Sequence, residues 1–403
     1  MNYMDYWSTK TNPETGAKFE HFRLYMECTH NGNADVPTLL ASDYGKELTR
    51  LLELRFRFEE KDPMGPEYLE YYQSIGIRKQ MFETDDFFTR WALFTPRELE
   101  EGRKYPLIVW HHGGKESIED EEFITYLIPM AATEKFTVLM AQNTNWDNIE
   151  RLIDLVGENI PLDKERVYMG GFSQGSRVTG AAMLRMPERL AAAALNGGPV
   201  FDITDNFSAP YTLAEVERLT AAFVPYMQLQ NQCDVSNCVP LNHYETRRET
   251  PHIDNHYYIN PGYDRMKDPT YLPDGITHER INPPQNYDVH YWLMDLLNLR
   301  MATLGCAFRD AETCIGYRDT PEDELHHVVG CYGDRERIEE LYGVKHYMID
   351  IFNRDGIDAF RYIVVANTNH WPPVTTGELI WDFFKQFRRD SATGKIVADE
   401  YKV

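Results

Sequence analysis

Apolar positions along the chain follow two rhythms. The first 75 or so residues are polar and then helical. Leu48, Leu51, Leu52 and Leu54 stand near helical spacing in ELTRLLELRF, and the Pro/Gly run KDPMGPE ends the pattern. This reads as an N-terminal helical extension over residues 1–76. From about residue 77, short apolar runs alternate with helical ones. IRKQMFE, TRWALFTP, YPLIVW, FTVLMAQ, RVYMGG, LAAAALNGG, VPYMQLQ and RYIVVAN have the length and content of strands. Between and after them, FITYLIPMAATEK, DNIERLIDLVGENI, GSRVTGAAMLRM, AEVERLTAAF and the closing ELIWDFFKQFRR have helical character. Such alternation predicts an α/β fold with a mostly parallel sheet flanked by helices.

Residues 241–340 break the alternation. They are rich in Tyr, His, Pro and charge, and within them Val289, Trp292, Leu293, Leu296, Leu297 and Met301 mark one amphipathic helix. A segment this long between two core strands is expected to be an inserted cap rather than a loop. The expected organisation is therefore an extension over 1–76, a main domain from residues 77–240 and 341–403, and an inserted segment over 241–340.

Charge narrows the partners. The 403 residues carry 41 Lys plus Arg against 64 Asp plus Glu, a net charge of −23, so nucleic acid and anionic membranes would repel the chain. The N-terminus, MNYMDYWSTK, lacks the basic-then-apolar pattern of a secretory signal, which makes a cytoplasmic location the expectation. The six cysteines form no CxxC pair. Cys233 and Cys238 could pair, but cytosolic thiols stay reduced. His252, Asp254 and His256 come without an HExxH pattern and are not expected to hold a metal. No GxxxxGK[ST] occurs and no GxGxxG opens a βαβ unit, so no cofactor is expected.

One motif carries chemistry. Gly171-Phe172-Ser173-Gln174-Gly175 follows the strand RVYMG and precedes a helical stretch, the context in which a sharp strand-to-helix turn lifts a serine hydroxyl above a sheet. A serine nucleophile needs a base, the base an orienting acid, and the tetrahedral intermediate fixed donors. On such sheets the order along the chain is Ser, then acid, then His. Asp234 follows the second strand after the serine, in NQCDVSNCVP, and His370 follows the last strand, in TNHWPP. Asp202, after the first strand beyond the elbow, is the rival acid. Upstream, Trp110-His111-His112-Gly113-Gly114 follows a buried strand, and its backbone amides together with that of Gln174 could receive an oxyanion. His111 and His112 precede the serine and sit on the wrong loop to be its base, so they are expected to brace that loop. His112, Trp371, Tyr257 and Tyr258 are the candidate substrate contacts.

At these residues the sequence resembles the α/β-hydrolase superfamily, and most of all the carboxylesterases that include poly(hydroxybutyrate) depolymerase-like enzymes, feruloyl esterases and acetylxylan esterases. RVYMGGFSQGSRVTGAAMLRMPERLAAAALNGGP is similar to that group's elbow block, CDVSNCVP to its acid segment and NHWP to its histidine block. GGFSQG also resembles the elbow of acyl-protein thioesterases. The resemblance spans residues 77–240 and 341–390; Ser176 stands where a glycine is expected. It implies Ser173 as nucleophile, His370 as base, Asp234 as orienting acid and Gly114 with Gln174 as oxyanion donors. The activity expected is hydrolysis of a small-molecule or saccharide ester with a small acyl or aromatic group, with a thioesterase, a lysophospholipase or a prolyl-oligopeptidase-like peptidase as alternatives. A homo-oligomer is compatible with the sequence.

Overall fold

The computed structural model describes residues 32, 34–59, 61–83, 90–114, 116–142, 149–198, 213–234 and 289–403. The N-terminal part supplies three helices, α1 (Val36–Ala41), α2 (Asp43–Arg57) and α3 (Pro66–Ser74). Ser42 caps α2 by accepting the Gly45 N–H, and the helix turns Leu48, Leu51, Leu52 and Phe56 inward. Ten strands of the described residues then form one sheet. They are β1 (Ile77–Glu83), β2 (Arg90–Pro96), β3 (Tyr105–His111), β4 (Thr137–Ala141), β5 (Leu162–Phe172), β6 (Ala192–Asn196), β7 (Tyr226–Asn231), β8 (Arg335–Leu341), β9 (Val344–Phe352) and β10 (Asp358–Val365). Their order is β1-β2-β4-β3-β5-β6-β7-β10-β9-β8. The six from β4 to β10 in that order are parallel, and the two strands added at each side pair antiparallel.

Both faces of this sheet are covered, as a parallel centre requires. Side chains alternate between two cores: Leu107 and Val109 of β3 enter one, Ile108 and Trp110 the other. On the second face lie α2, α3, α4 (Ile118–Ile124) and α5 (Leu127–Glu134), so the N-terminal helices share a core with the main sheet. The first face is covered by α6 (Ile149–Asn159), α7 (Gln174–Arg185), α8 (Leu213–Ala222) and α9 (Val289–Leu304). Further along come α10 (Ala311–Gly316), α11 (Leu325–Val329) and, on the second face, α12 (Thr376–Phe384). A ten-stranded mixed sheet with a parallel centre, helices on both faces and a serine at the β5–α7 turn is the α/β-hydrolase fold. Among the described residues no helix is long and apolar enough to cross a membrane.

Two local readings of the sequence change. FITYLIPMAATEK contains the end of α4 and all of α5, separated at Tyr126, whose φ of 58° breaks the helix. The closing helix stops at Phe384; Phe387–Arg389 is instead strand β11, paired with β12 (Ile396–Ala398). Arg389 explains the switch. Its guanidinium is buried and donates to the carbonyls of Leu190, Ala222, Phe223 and Gly394, which a helical position facing solvent would not permit. The hairpin β8–β9 turns at Tyr342-Gly343, both with positive φ, as a two-residue hairpin turn demands. Of the 241–340 segment, residues 241–288 lie outside the described part. Within the remainder, α9 buries Met294, Leu297, Met301 and Leu304 against the core that holds Tyr226 and Phe360.

A buried ion pair ties β1 to α4. Lys79 Nζ lies 2.7 Å from Glu122 Oε2, both side chains are fully buried, and the ammonium stands 4.5 Å from the centre of the Tyr68 ring. Burial pushes the Glu122 carboxyl above its ordinary range, an effect that Lys79 opposes. Lys79→Met would strand that carboxyl. Urea denaturation should show a loss of about 3–5 kcal/mol, while Lys79→Met combined with Glu122→Leu recovers most of it. A single variant as stable as the parent would show that the pair does not hold this corner.

Candidate active site

The β5–α7 turn is crowded before any chemistry is considered. A Cβ placed on Gly171 would lie 2.6 Å from the Gly175 backbone and 2.7 Å from the His111 carbonyl oxygen, and one on Gly175 would collide with that same carbonyl. Glycine at both positions lets β5, α7 and β3 meet. Between them Ser173 adopts φ 49°, ψ −106°, a conformation that L residues rarely hold. Its own N–H donates to the Asn196 carbonyl at 2.8 Å. Ser176, where a glycine was expected, adds a second tether: its buried hydroxyl lies 2.8 Å from the Gly171 carbonyl and 2.7 Å from that of Asn196.

Two further loops leave the same edge of the sheet. After β7 comes Asp234, 1% exposed; after β10 comes His370, 9% exposed. His370 Nδ1 lies 2.6 Å from Asp234 Oδ2, and its Nε2 lies 2.9 Å from Ser173 Oγ. The loops are stitched together. Thr368 Oγ1 donates to Asn231 Oδ1 at 2.8 Å, Asn231 Nδ2 donates to the Trp371 carbonyl at 2.9 Å, and the Cys233 N–H donates to the Thr368 carbonyl at 3.0 Å. The Phe172 ring packs 4.8 Å from the imidazole, centre to centre.

A part of the chain that sequence reasoning left as an extension also reaches the site. Gly32 forms an antiparallel bridge with Asp234, and a Cβ there would collide with the Asn369 side chain and the Cys233 carbonyl. The Ala34 N–H donates to Asn369 Oδ1 at 2.9 Å, and Asp35 and Asn367 exchange hydrogen bonds of 2.6 and 3.0 Å. Nothing in the polar sequence around Gly32 signals this. The pairing is between segments some 200 and 335 positions apart.

The loop after β3 stands beside the serine. A Cβ on Gly114 would come 3.1 Å from Gln174 Oε1, so the loop lies against the Gln174 side chain. Gln174 opens α7, so its N–H has no carbonyl one turn earlier to bond within the helix. The His112 ring nitrogens lie 2.7 Å from the Gly113 carbonyl and 2.9 Å from that of Gln142, bracing the loop against the end of β4. His111 is wholly buried; desolvation first, then neighbouring His112, pushes it down to about 3, so it stays neutral. Trp371 is buried, with its ring 6.5 Å from that of Phe172. Cys233 carries a free thiol that burial, and then Asp234, pushes up to about 11, while Cys238 lies outside the described residues. Also outside them are Asp202, Tyr257, Tyr258, His252, Asp254 and His256. Among the described residues no group of three or more His, Cys, Asp or Glu could hold a metal ion.

No protein-family profile and no curated protein matches the chain. Solved structures do. An acetyl xylan esterase from Aspergillus awamori aligns over 76% of this chain and 98% of its own, at 11% identity and a TM-score of 0.44. An S-formylglutathione hydrolase from Agrobacterium tumefaciens aligns over 44% and 84%, at 15% identity and a TM-score of 0.34. A thermostable esterase aligns over 43% of this chain and only half of its own length, at 20% identity and a TM-score of 0.32.

Proposed function

We propose that this chain is a serine hydrolase of carboxylic esters. The observation that carries the reading is the unbroken hydrogen-bonded line from Asp234 Oδ2 through both nitrogens of His370 to Ser173 Oγ. With Asp234 ionised, Nδ1 holds the proton and Nε2 is left to accept the one from Ser173. The alkoxide attacks the ester carbonyl carbon, and the new oxyanion meets the N–H groups of Gly114 and Gln174. Collapse breaks the C–O bond, and the departing alcohol takes its proton from His370. A water activated by the same imidazole then cleaves the acyl-serine, returning the acid and the free hydroxyl.

The substrate we assign is an ester of a small acyl or aromatic, feruloyl-type acid, with a saccharide as one possible carrier alcohol. What supports this choice is sequence: residues 241–288 contain Tyr257, Tyr258, Tyr263 and Tyr271 and no long apolar run to sheathe an alkyl chain. We place the reaction in the cytoplasm, on a dissolved ester and without a cofactor.

Ser173→Ala should reduce ester turnover by up to about 10⁶-fold while leaving the melting curve in place; retention of a few per cent of activity would remove Ser173 from the role. Asp234→Asn should lower kcat by about 10⁴-fold through the wrong imidazole tautomer, with Asp202→Asn close to the parent. The reverse ranking would move the acid to Asp202. On a panel of acetyl, feruloyl and long-chain acyl esters and thioesters, kcat/KM should be highest for an acetyl or feruloyl ester. A preference for long chains or thioesters would favour the thioesterase or lysophospholipase alternative.

A further inference from the structure

The loop from Ala366 to Thr375 joins β10 to α12 and carries His370. Pro372 and Pro373 follow the histidine closely and have no N–H with which to anchor it. At the far end of the loop, Thr375 Oγ1 lies 2.9 Å from His346 Nε2 of β9. A grip nearer the imidazole comes from another strand. Asn231 is the last residue of β7, just ahead of Asp234, and it is fully buried. Leu229 and Met227, which precede it on the same side of the strand, enter the core on the second face of the sheet. Alternation therefore calls for an apolar side chain at 231, and a carboxamide stands there instead.

Both ends of that carboxamide are engaged, and both on the His370 loop. Nδ2 donates to the Trp371 carbonyl at 2.9 Å, which fixes the orientation of the amide and turns Oδ1 toward Thr368. The Thr368 hydroxyl donates to Oδ1 at 2.8 Å, and it also lies 2.9 Å from the Val365 carbonyl. Thr368 precedes His370 and Trp371 follows it, so a single side chain spans the histidine. The Asn231 carbonyl in turn accepts the Asp234 N–H at 3.4 Å. One residue thus touches the turn that bears the acid and both flanks of the base. Burying a carboxamide is costly unless its donors and acceptors are met, and a leucine would fill the same core without that cost.

We propose that Asn231 is a positioning residue for the base: its carboxamide clamps the backbone on both sides of His370, so that the imidazole meets Asp234 and Ser173 together. The ring makes both contacts at once, 2.6 Å to Asp234 Oδ2 and 2.9 Å to Ser173 Oγ. Without the clamp the loop relaxes and one contact lengthens at the expense of the other. That a displaced ring slows turnover rests on the ester-hydrolase reading; that the ring is displaced does not.

The test uses the full chain and three readouts. On an activated acetate ester, Asn231→Leu should lower kcat about 10²-fold, the size of a misplacement of about 1 Å at a reacting group, with KM changed no more than a few-fold. Thr368→Val, which removes one arm of the clamp, should lower kcat by less, and Thr368→Ser, which keeps the hydroxyl, should restore it. The two losses should not multiply in the double variant, because both release the same loop. Thr137→Val is the control for stability. It deletes a buried hydroxyl bonded to the Pro106 carbonyl at the opposite edge of the sheet, and should lower the melting temperature without changing kcat. The second readout is the rate at which a small fluorophosphonate labels Ser173, which should fall in step with kcat. The third needs no reaction: the proton between His370 Nδ1 and Asp234 should resonate far downfield in the parent, and Asn231→Leu should shift or broaden that signal. A kcat in Asn231→Leu close to the parent's, or an unchanged resonance, would overturn the clamp. Should Asn231→Leu fail to fold, a Thr368→Val enzyme as active as Thr368→Ser would overturn it equally. A parent that is labelled at Ser173 but hydrolyses no ester would reject the ester-hydrolase reading, and the labelling rates of the variants would then decide the clamp.

Discussion

The structure depends on one strained turn. At φ 49°, ψ −106°, Ser173 occupies backbone space that costs of order 1–3 kcal/mol, and it stays there only because its surroundings allow nothing else. The Asn196 carbonyl takes the serine N–H and also receives the Ser176 hydroxyl, so a single strand end, that of β6, holds both sides of the turn. Asn196 Nδ2 in turn donates to Thr376 Oγ1 at the start of α12. The elbow is thereby referenced to both faces of the sheet, and the parallel register of β3, β5 and β6 sets where the serine oxygen points.

From that turn the other parts of the site follow as a matter of edge. β7 and β10 are parallel neighbours, so the loops after them emerge side by side, and Asp234 and His370 need only short excursions to meet. The stitching between Asn231, Thr368 and Trp371 keeps those excursions from wandering. A buried carboxylate one hydrogen bond from an imidazole fixes that ring's angle to Ser173, which is what the proposed relay needs from its scaffold.

Much of this was legible in the residues. Strand content and the GxSxG turn located the centre of the sheet and Ser173, and chain order pointed to His370 and to Asp234, with Asp202 as rival; the fold brings Ser173, His370 and Asp234 within hydrogen-bonding reach. What was illegible has physical causes. β8 reads RERIEEL, an edge strand whose charge hides its pairing, because an edge is supposed to repel other strands. The end of ELIWDFFKQFRR looks helical because helix periodicity cannot see that Arg389 is needed under four carbonyl oxygens. The role of Gly32 is a close approach between distant segments, and a single sequence holds no record of such contacts.

The N-terminal helices therefore need a different reading from that of an appendage. Arg55 on α2 and Lys79 just after α3 each neutralise a carboxylate of α4, the helix that follows the loop bearing Gly113 and Gly114. Gly32, Ala34 and Asp35 meanwhile bond to Asp234, Asn369 and Asn367. A chain of net charge −23 has few cations to spare, and it commits two of them, fully or nearly buried, to this one helix. Burying a cation is costly unless a matching carboxylate waits for it, so α2 and β1 stabilise α4 through these pairs and are stabilised by it. The contacts that complete the core on the second face thus also brace the loop bearing Gly113 and Gly114, while those of Gly32, Ala34 and Asp35 brace the loops that carry Asp234 and His370.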